Sequence, residues 1–404
     1  MFFLPSIHHY RILLLALFDA AAVEPSFIRY NSAILSMKVL QVLPSMEGGG
    51  VERGTLEIAA ALVEAGHESY VLSSGGRLVS ELEKAGSFHI QWNIGNKTPL
   101  SLLQVRKFRR WLASQGFDIV HLRSRMPAWV VWLAWKKMDP GTRPRLVSTV
   151  HGLHSVNRYS EIVGCGERVI AVSEAVRTYI LDNYPRTDPE KISLIYRGID
   201  AQAFPFAYQA EESWKQTWYQ QYPQLKGRVV VTLPGRLTRL KGHLSFLEAI
   251  ARLRAHDIDV YGLIVGGIDP KRKAYAEEVK QRVLALGLES YVIFTGQRSD
   301  MKEIYSVSNL VLSLSSKPES FGRTVLEALS MGIPVVAYDH GGVHEILSYL
   351  FPEGLVPLND NKSLIEKIQQ VLLSPQSTIK PNDRFLLSDM RKYTISLYES
   401  MVPE

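Results

Sequence analysis

The chain contains little cysteine and no long apolar run. Its single cysteine, Cys165, leaves no second thiol among the 404 residues for an internal disulfide, which favours a reducing compartment. Cys165 has no distinctive sequence context, and we interpret it as structural. No segment approaches the roughly 20 uninterrupted apolar residues that a transmembrane helix needs, so no such helix is predicted. With 46% hydrophobic and 21% charged residues, the composition is that of a globular protein large enough for two domains.

Positive charge exceeds negative charge, with a formal net charge of +6 and an isoelectric point near 9.1. This balance favours an anionic surface or ligand without choosing among nucleic acid, membrane and phosphate. No recognised nucleic-acid-binding module is present, so we expect no nucleic acid partner. The histidines and carboxylates lack the spacing of a zinc site.

The N-terminal segment has two interpretations. Ile12 to Val23 is apolar apart from Asp19 and ends in small residues, like a short signal peptide. Against that, Met37 and Lys38 open a strand that is typical of the first strand of a complete domain. We therefore predict that residues 1–36 are a non-domain extension, consistent with an upstream start codon. An interfacial membrane anchor is the alternative.

From Lys38 onward, short apolar runs alternate with longer amphipathic ones. The predicted strands are Lys38–Leu43, Glu68–Leu72, Ile119–Leu122, Leu146–Thr149, Arg168–Val172, Ile192–Ile195, Val229–Leu233, Val260–Val265, Val292–Thr295, Leu310–Leu314 and Val335–Ala337. Helical stretches such as Glu52–Ala65 and Leu100–Gln115 separate most of them. This alternation predicts parallel sheets covered by helices. The predicted fold class is therefore α/β, with two doubly wound, Rossmann-like domains facing one another across a cleft.

The predicted boundaries divide the chain into four parts. Residues 1–36 are the extension, 37–200 the first domain, 201–375 the second domain and 376–404 a tail. Asp200–Lys226 has the composition of a linker that contains a helix, and Arg384–Glu399 is the predicted closing helix of the tail.

Two glutamates, Glu319 and Glu327, lie eight positions apart in the segment PESFGRTVLE. The apolar run Asn309–Leu314 ends just before this segment, and a helix-like stretch, Gly322–Ser330, begins within it. In doubly wound folds such a loop lies at the carboxyl edge of the sheet, where ligands bind. The helix N-terminus there offers N–H groups to an anion, while Glu319 would bind hydroxyl groups. A nucleotide sugar has both parts.

Three glycine-containing loops follow predicted strands in the same way. Gly48–Gly50 follows the first strand, but Arg53 takes the place of the third glycine of a dinucleotide-binding motif. The second strand also ends without an acid for an NAD ribose, so a dehydrogenase is disfavoured, although a plain tight turn is an alternative. Arg236 and Lys241 lie in a turn after a later strand and suit a diphosphate, although either alone could be a solvated surface charge. The segment Gly341–Glu345 opens another helix.

These motifs together resemble the retaining GT-B glycosyltransferases of family 4, whose E-x7-E motif matches Glu319 to Glu327. The resemblance extends from Met37 to the tail. Its supporting motifs are GGGVER after the first strand, STVHG at Ser148–Gly152, AVSEAV at Ala171–Val176, YRGID at Tyr196–Asp200 and GRLTRLKG at Gly235–Gly242. The resemblance implies a GT-B fold and transfer of a hexose from a nucleotide-sugar donor with retention of configuration.

The resemblance also implies roles for single residues in the donor site. Arg236 and Lys241 would bind the donor diphosphate, Glu327 the ribose hydroxyls, and Glu319 the hydroxyls of the transferred sugar. For these tasks neither glutamate needs an altered pKa, because each can act as an ionised acceptor.

The other implied site residues act mainly through their backbone or from the first domain. N–H groups near Phe321 and Gly322 would help to hold the diphosphate or the sugar. Gly49 and Gly50 would approach the donor phosphate and sugar from the opposite domain. His151 would point into the cleft, contact the sugar and support the reaction. The chain departs from the family at Arg197, where many members have asparagine, and the sequence assigns no role to that arginine.

A covalent intermediate would need a carboxylate at the anomeric carbon. Glu319 is the obvious candidate, yet the resemblance assigns it to sugar hydroxyls. We therefore expect front-face displacement, in which the departing phosphate takes the acceptor's proton and Arg236 and Lys241 stabilise the leaving diphosphate. The pair Asp257 and Asp259 has the spacing of a metal site in a different transferase fold, but it precedes its strand. We expect no metal or other cofactor.

The acceptor side of the first domain is basic and rich in tryptophan. Arg106, Lys107, Arg109 and Arg110 lie in one predicted helix, and three tryptophans follow in PAWVVWLAWKK. This combination suits an anionic membrane surface, although a solvated face beside a buried helix is the plainer interpretation of the tryptophan run. The resemblance implies a glycan or glycolipid acceptor, such as a lipopolysaccharide core, at the cytoplasmic face of the membrane. A nucleotide-sugar epimerase and a non-catalytic sugar-nucleotide or membrane-binding protein are the alternatives.

Overall fold

Strands and helices alternate along the whole described part of the chain, which in this computed structural model comprises residues 36–96, 103–268, 273–373 and 378–402. The predicted extension, apart from Ser36, lies outside these residues, as does the start of the predicted helix Leu100–Gln115. The remaining α/β alternation forms two parallel sheets, so the predicted fold class is confirmed.

The first sheet has seven strands in the order β3-β2-β1-β4-β5-β6-β7. Its strands are β1 Lys38–Val42, β2 Glu68–Ser73, β3 Phe88–Gln91, β4 Ile119–Leu122, β5 Arg145–Val150, β6 Arg168–Ala171 and β7 Ile192–Leu194. The helices between them are α1 Gly50–Glu64, α2 Val79–Lys84, α3 Val105–Gln115, α4 Arg125–Trp135 and α5 Glu174–Asn183. All pairs are parallel, with Val39 opposite both Ser69 and Ile119. We call this sheet and its helices the N-terminal domain.

The second sheet has six strands in the order β10-β9-β8-β11-β12-β13. Its strands are β8 Val229–Pro234, β9 Val260–Val265, β10 Val292–Gly296, β11 Leu310–Ser313, β12 Val335–Tyr338 and β13 Leu355–Val356. Helix α6, Glu212–Gln221, precedes it, and the other helices are α7 His243–Ala255, α8 Lys273–Ala285, α9 Met301–Ser306, α10 Arg323–Ser330, α11 Gly341–Leu350 and α12 Asn361–Leu373. We call this unit the C-terminal domain.

Burial on both faces explains why the central strands are continuous apolar runs. All six residues of β9 are buried, as expected for a parallel strand covered by helices on both sides. The two strands that the sequence did not predict are β3 and β13. β3 is short and half exposed, and β13 has only two residues. Both are edge strands, which do not need a continuous apolar run.

The last helix, α13 at Leu387–Glu399, returns from the C-terminal domain to the N-terminal one. Leu386 forms an isolated bridge with Ile199, and Met390 and Tyr398 pack in the same buried cluster as Val39 and Ile58. The predicted closing helix is thus present, and it covers the N-terminal sheet. Among the described residues, no helix is long and apolar enough to cross a membrane.

Candidate active site

A deep cleft lies between the two domains. A cavity of about 1040 Å³ is lined by the turn Gly48–Gly50 and Glu57 on one side and by Arg323 and Glu327 on the other. An adjoining cavity of about 540 Å³ is lined by Gly48, Gly49 and, from the C-terminal domain, Arg236. The structure therefore brings the glycine turn, Arg236 and Glu327 to one cleft.

The glycine turn leads into α1 without any side-chain cap, so its first N–H groups are available to an anion. Gly48 has a φ of +146° and needs to be glycine. Gly49 is extended, with φ −168°, and a Cβ added at Gly50 would meet no atom within 4 Å. The backbone conformation and packing therefore do not explain the glycine at position 50.

The loop that carries Glu319 rests on the start of α11. The N–H of Gly342 donates to the Glu319 carbonyl at 2.8 Å, and a Cβ on Gly342 would lie 2.5 Å from the Cα of Phe321. Gly322 has a φ of +104° and is the N-cap residue that precedes α10. The segment Gly341–Glu345 therefore supports the backbone of Phe321 and Gly322.

Glu319 is held by a lysine. Lys241 Nζ lies 2.7 Å from Glu319 Oε1, and the Ser315 hydroxyl also donates to this oxygen. Burial alone would raise the pKa of Glu319, but the Lys241 charge and the two hydrogen bonds leave that pKa below its ordinary value. Lys241 reaches the carboxylate because its turn packs on the end of β11, where a Cβ on Gly242 would lie 2.0 Å from the Leu314 carbonyl oxygen.

Glu327 is held by a different cation. Arg323 Nε donates to it at 3.0 Å, and the Tyr305 hydroxyl donates at 3.2 Å. Burial raises the pKa of Glu327 in spite of these partners. The pKa of Glu319 is therefore lowered and that of Glu327 is raised, although the roles that the resemblance implies require neither shift.

Arg323 also joins the two domains. Its Nη1 lies 2.8 Å from Oε1 of Glu57, which is on α1. Neither residue was predicted as part of the site, because Glu57 and Arg323 are 266 positions apart and no motif links them.

His151 directly follows β5 in the N-terminal domain. Its Nδ1 lies 3.0 Å from Arg197 Nη2, and its buried Nε2 has no hydrogen-bond partner among the described residues. Burial holds the pKa of His151 well below its ordinary value, and the charges of Arg197 and Arg123 lower it further. The Ser320 hydroxyl donates to the His151 carbonyl at 2.8 Å, which ties the histidine to the loop of Glu319.

A smaller pocket of about 180 Å³ lies beside His151 in the N-terminal domain. Val51 and Glu52 from α1, Arg123 and Ser124 after β4, and His154 line it. Arg123 is 4% exposed and forms no ion pair among the described residues, where its Nη1 donates to Gln41 at 2.7 Å.

A carboxylate of the C-terminal domain caps a helix of the N-terminal domain. Glu345 accepts hydrogen bonds from the backbone N–H groups of Glu174 and Ala175, at 2.9 and 2.7 Å. Ser173, which caps the same helix, donates to the Ser320 carbonyl at 2.7 Å. These contacts explain the AVSEAV and GGVHE motifs as parts of one interdomain junction.

The basic stretch forms the exposed face of α3. Arg106, Lys107 and Arg110 are exposed, whereas Phe108 and Leu112 are buried.

The tryptophans of α4, unlike the basic residues of α3, pack in or against the core of the N-terminal domain. The Trp135 ring is buried and donates to the Pro144 carbonyl at 2.7 Å, and Trp129 donates to the Tyr159 carbonyl at 3.0 Å. The plainer interpretation of the tryptophan run, as part of the domain core, is therefore the better one.

Asp257 and Asp259 precede β9 at the amino edge of its sheet. Asp259 pairs with Arg228 and Arg254 at 2.7 and 2.9 Å. Within the described ranges, no group of three or more His, Cys, Asp or Glu residues could hold a metal ion.

Two family models match most of the chain. Residues 48–203 match Glycosyltransferase Family 4, and residues 215–385 match Glycosyl transferases group 1.

Individual proteins match over similar lengths. A glycosyltransferase from Rickettsia africae has a similar structure, with a TM-score of 0.80, 29% identity and coverage of 92% of this chain and 100% of that one. Anabaena Alr3699/HepE in complex with UDP and glucose has a TM-score of 0.76 at 23% identity, covering 90% and 100% of the two chains. The N-acetyl-alpha-D-glucosaminyl L-malate synthase of Bacillus anthracis is 25% identical over 348 residues, which are 81% of this chain and 85% of that protein.

Proposed function

We propose that this chain, which belongs to the family 4 type of GT-B glycosyltransferases, transfers a hexose from a nucleotide-sugar donor to a cell-envelope glycan or a lipid-linked acceptor, with retention of configuration. The observation that carries the donor assignment is the cavity that Arg236 shares with Gly48 and Gly49. Arg236 shares this cavity with the glycine turn that precedes the uncapped start of α1, which suits a diphosphate. A structure of Anabaena Alr3699/HepE in complex with UDP-glucose, which has the same fold, supports the proposal.

The donor diphosphate binds between Arg236 and the glycine turn. Arg236 is exposed to the cleft and has no ion pair among the described residues. Because neither backbone conformation nor packing explains glycine at position 50, the close approach of a ligand is the better reason for it. Gly49 and Gly50 then contact the phosphate and sugar, and the N–H groups near Phe321 and Gly322 contact them from the other domain.

The two glutamates bind the ends of the donor. Glu327 accepts from the ribose hydroxyls, and Glu319 accepts from hydroxyls of the sugar. In the proposed complex, donor entry gives Lys241 a phosphate oxygen in place of Glu319, and Glu319 accepts hydrogen bonds from sugar hydroxyls. The low pKa of Glu319 keeps this carboxylate ionised at neutral pH.

The chemistry is a front-face displacement. Glu319 is engaged by Lys241 and Ser315, which leaves it poorly suited to attack the anomeric carbon. The bond from the anomeric carbon to the phosphate oxygen breaks as the acceptor oxygen attacks the same face. The departing phosphate oxygen then takes the acceptor's proton. Arg236 and Lys241 stabilise the negative charge on the leaving diphosphate, so the reaction needs no metal ion.

The acceptor binds to the N-terminal domain, next to His151. The exposed basic face of α3 belongs to this domain and suits the headgroups of an anionic membrane. We infer a cytoplasmic enzyme that associates peripherally with the inner face of the cytoplasmic membrane and extends a lipopolysaccharide core or a related glycolipid.

A small anionic acceptor is the second candidate. The pocket of about 180 Å³ beside His151 is lined by the buried Arg123, and the relative from Bacillus anthracis is named N-acetyl-alpha-D-glucosaminyl L-malate synthase, after a product that contains L-malate. Glu52 also lines the pocket, which weakens its attraction for an anion.

Incubation with a panel of UDP-, GDP- and ADP-sugars tests the donor assignment. Release of the nucleoside diphosphate from one donor is expected, and it increases when the correct acceptor is present. Purified lipopolysaccharide core and small dicarboxylic acids form the two acceptor arms. An epimerase would convert the sugar without releasing the nucleotide, and a non-catalytic protein would bind without turnover.

A further inference from the structure

Arg197 occupies the space between the glycine turn and His151. It is 8% exposed. Its Nη1 donates to the Gly50 carbonyl at 2.6 Å, and its Nη2 lies 3.0 Å from His151 Nδ1. Two elements of the proposed site are therefore joined by one guanidinium at a position where the resembling family commonly has asparagine.

The chain makes room for this guanidinium inside α1. A Cβ on Gly54 would lie 2.5 Å from Arg197 Nη1 and 2.7 Å from Nη2. Glycine is among the least favourable residues in a helix interior, and Gly54 lies in the second turn of α1. The position of Arg197 explains why this residue is glycine.

The contact with Arg197 decides which nitrogen of His151 carries the proton. A guanidinium has five N–H donors and no acceptor, so Nδ1 of His151 must accept. In neutral imidazole the other nitrogen then carries the hydrogen. Nε2 is buried, has no partner among the described residues, and belongs to a side chain that lines the pocket of about 180 Å³.

The charges around His151 also favour the neutral ring. Positive or titratable groups face His151 from the loop after β5, from β4 and the residues that follow it, and from the segment after β7. These groups are His154, His121, Arg123 and Arg197. Glu52 and Glu57 on α1 are the nearby carboxylates, and the charge of each acts on Arg197.

We propose that Arg197 is a positioning residue that holds His151 as the Nε2–H tautomer and fixes the Gly50 carbonyl, so that His151 donates a hydrogen bond to an oxygen of the sugar or acceptor and does not act as a base. The inference rests on the proposed function for the identity of the ligand. The tautomer itself is a property of the ligand-free protein.

NMR of the protein labelled with ¹⁵N-histidine tests the tautomer directly, with a His151→Gln variant to assign the signals. The expected wild-type spectrum has an unprotonated Nδ1 and a protonated Nε2 from pH 8 down to pH 6. In Arg197→Met the ring loses its donor and a neighbouring cation, so His151 should populate both tautomers and protonate at a higher pH. A wild-type Nδ1 that carries the proton, or an Arg197→Met spectrum identical to wild type, would overturn the proposal.

Gly54→Ala is a second perturbation that keeps the guanidinium but displaces it. It should produce the same change in the His151 spectrum and lower kcat by roughly tenfold to hundredfold through misplacement of the reacting groups, with a smaller change in KM for the donor. In an Arg197→Asn background the alanine side chain at position 54 no longer meets a guanidinium, so Gly54→Ala should cause no further loss of kcat. An additional loss of the same size in that background would show that Gly54 acts independently of Arg197.

These experiments separate the inference from the proposed function. If no nucleotide sugar is turned over but the NMR result is as expected, the assigned reaction is wrong and the tautomer assignment stands. If turnover is found and the tautomer is the opposite one, only the role of Arg197 is wrong.

Discussion

Removing the Lys241 ammonium should show how much the ion pair with Glu319 contributes to the free energy of unfolding. In Lys241→Met the Glu319 carboxylate keeps its hydrogen bond from Ser315 but loses the cation at 2.7 Å. The two side chains are 25% and 17% exposed, so the pair lies between a surface ion pair and a fully buried one. Exposed pairs contribute at most about 1 kcal/mol, whereas breaking a buried pair costs about 3–5 kcal/mol. We expect a loss of about 1–3 kcal/mol in the free energy of unfolding at pH 7.

The loss should depend on pH in a defined direction. In the wild type the pKa of Glu319 in the folded state is below its ordinary value of 4.5. The pair therefore stabilises the protein above pH 4.5 and stops doing so as the pH falls through the lowered pKa. In Lys241→Met the lysine no longer opposes the effect of burial, so the folded-state pKa of Glu319 should rise even though the Ser315 hydrogen bond remains. Acidification then protonates Glu319 and reduces the destabilisation of the variant. The gap between the two proteins should be largest at neutral pH and close toward acidic pH.

Urea unfolding of the ligand-free protein at several pH values, followed by tryptophan fluorescence, measures this gap. The double variant Lys241→Met/Glu319→Gln should be more stable at pH 7 than Lys241→Met, because no charge is left unpaired. Arg239→Met is the matched control, since Arg239 lies two residues away in an exposed pair with Glu278 and should have little effect. A gap that does not change with pH, or no rescue by Glu319→Gln, would refute the reasoning.

Three further predictions concern the interdomain contact of Glu345, the ion pairs of Arg323 and the basic face of α3. Glu345→Ala removes the acceptor for two N–H groups of α5 and should lower stability by about 1–2 kcal/mol, seen as a lower unfolding midpoint, whereas the exposed Glu353→Ala should not. Arg323→Met leaves Glu57 and Glu327 without their cation and should lower the free energy of unfolding by about 2–4 kcal/mol at pH 7. An unchanged unfolding midpoint would show that these ion pairs do not stabilise the protein. Charge reversal at Arg106 and Arg110 should weaken co-sedimentation with anionic vesicles at least about tenfold at low salt, and equal binding by wild type and variant would remove α3 from the membrane contact.

The strands were the most predictable part of the molecule because burial on both faces leaves a continuous apolar run. The prediction Val260–Val265 matches β9 residue for residue. β3 was not predicted because it is a half-exposed edge strand, and its sequence, FHIQ, is not a continuous apolar run. No local pattern distinguishes such a strand from a loop.

The loops of the site were predictable for a topological reason. Parallel strands end at one edge of a sheet, so residues that follow different strands converge there. Strand order alone therefore predicts that Arg236, Lys241 and Glu319 lie near one another. In the structure Lys241 forms an ion pair with Glu319. Their roles in binding a donor stay a prediction.

The contacts between the domains were not predictable from local patterns. Glu345 caps α5 from 171 positions away, and Arg197 bonds to Gly50 from 147 positions away. Glu345 looks ordinary in its own segment. The departure at Arg197 was visible in the sequence, but only the folded chain shows that Gly54 makes room for it.

The central claim, that this cleft binds and activates the diphosphate of a nucleotide sugar, is tested most directly by the double variant Arg236→Ala/Lys241→Ala. Its kcat/KM for the donor that the wild type uses should fall at least about hundredfold, while Arg239→Ala keeps nearly wild-type turnover. A double variant that turns over the donor at the wild-type rate would contradict the account.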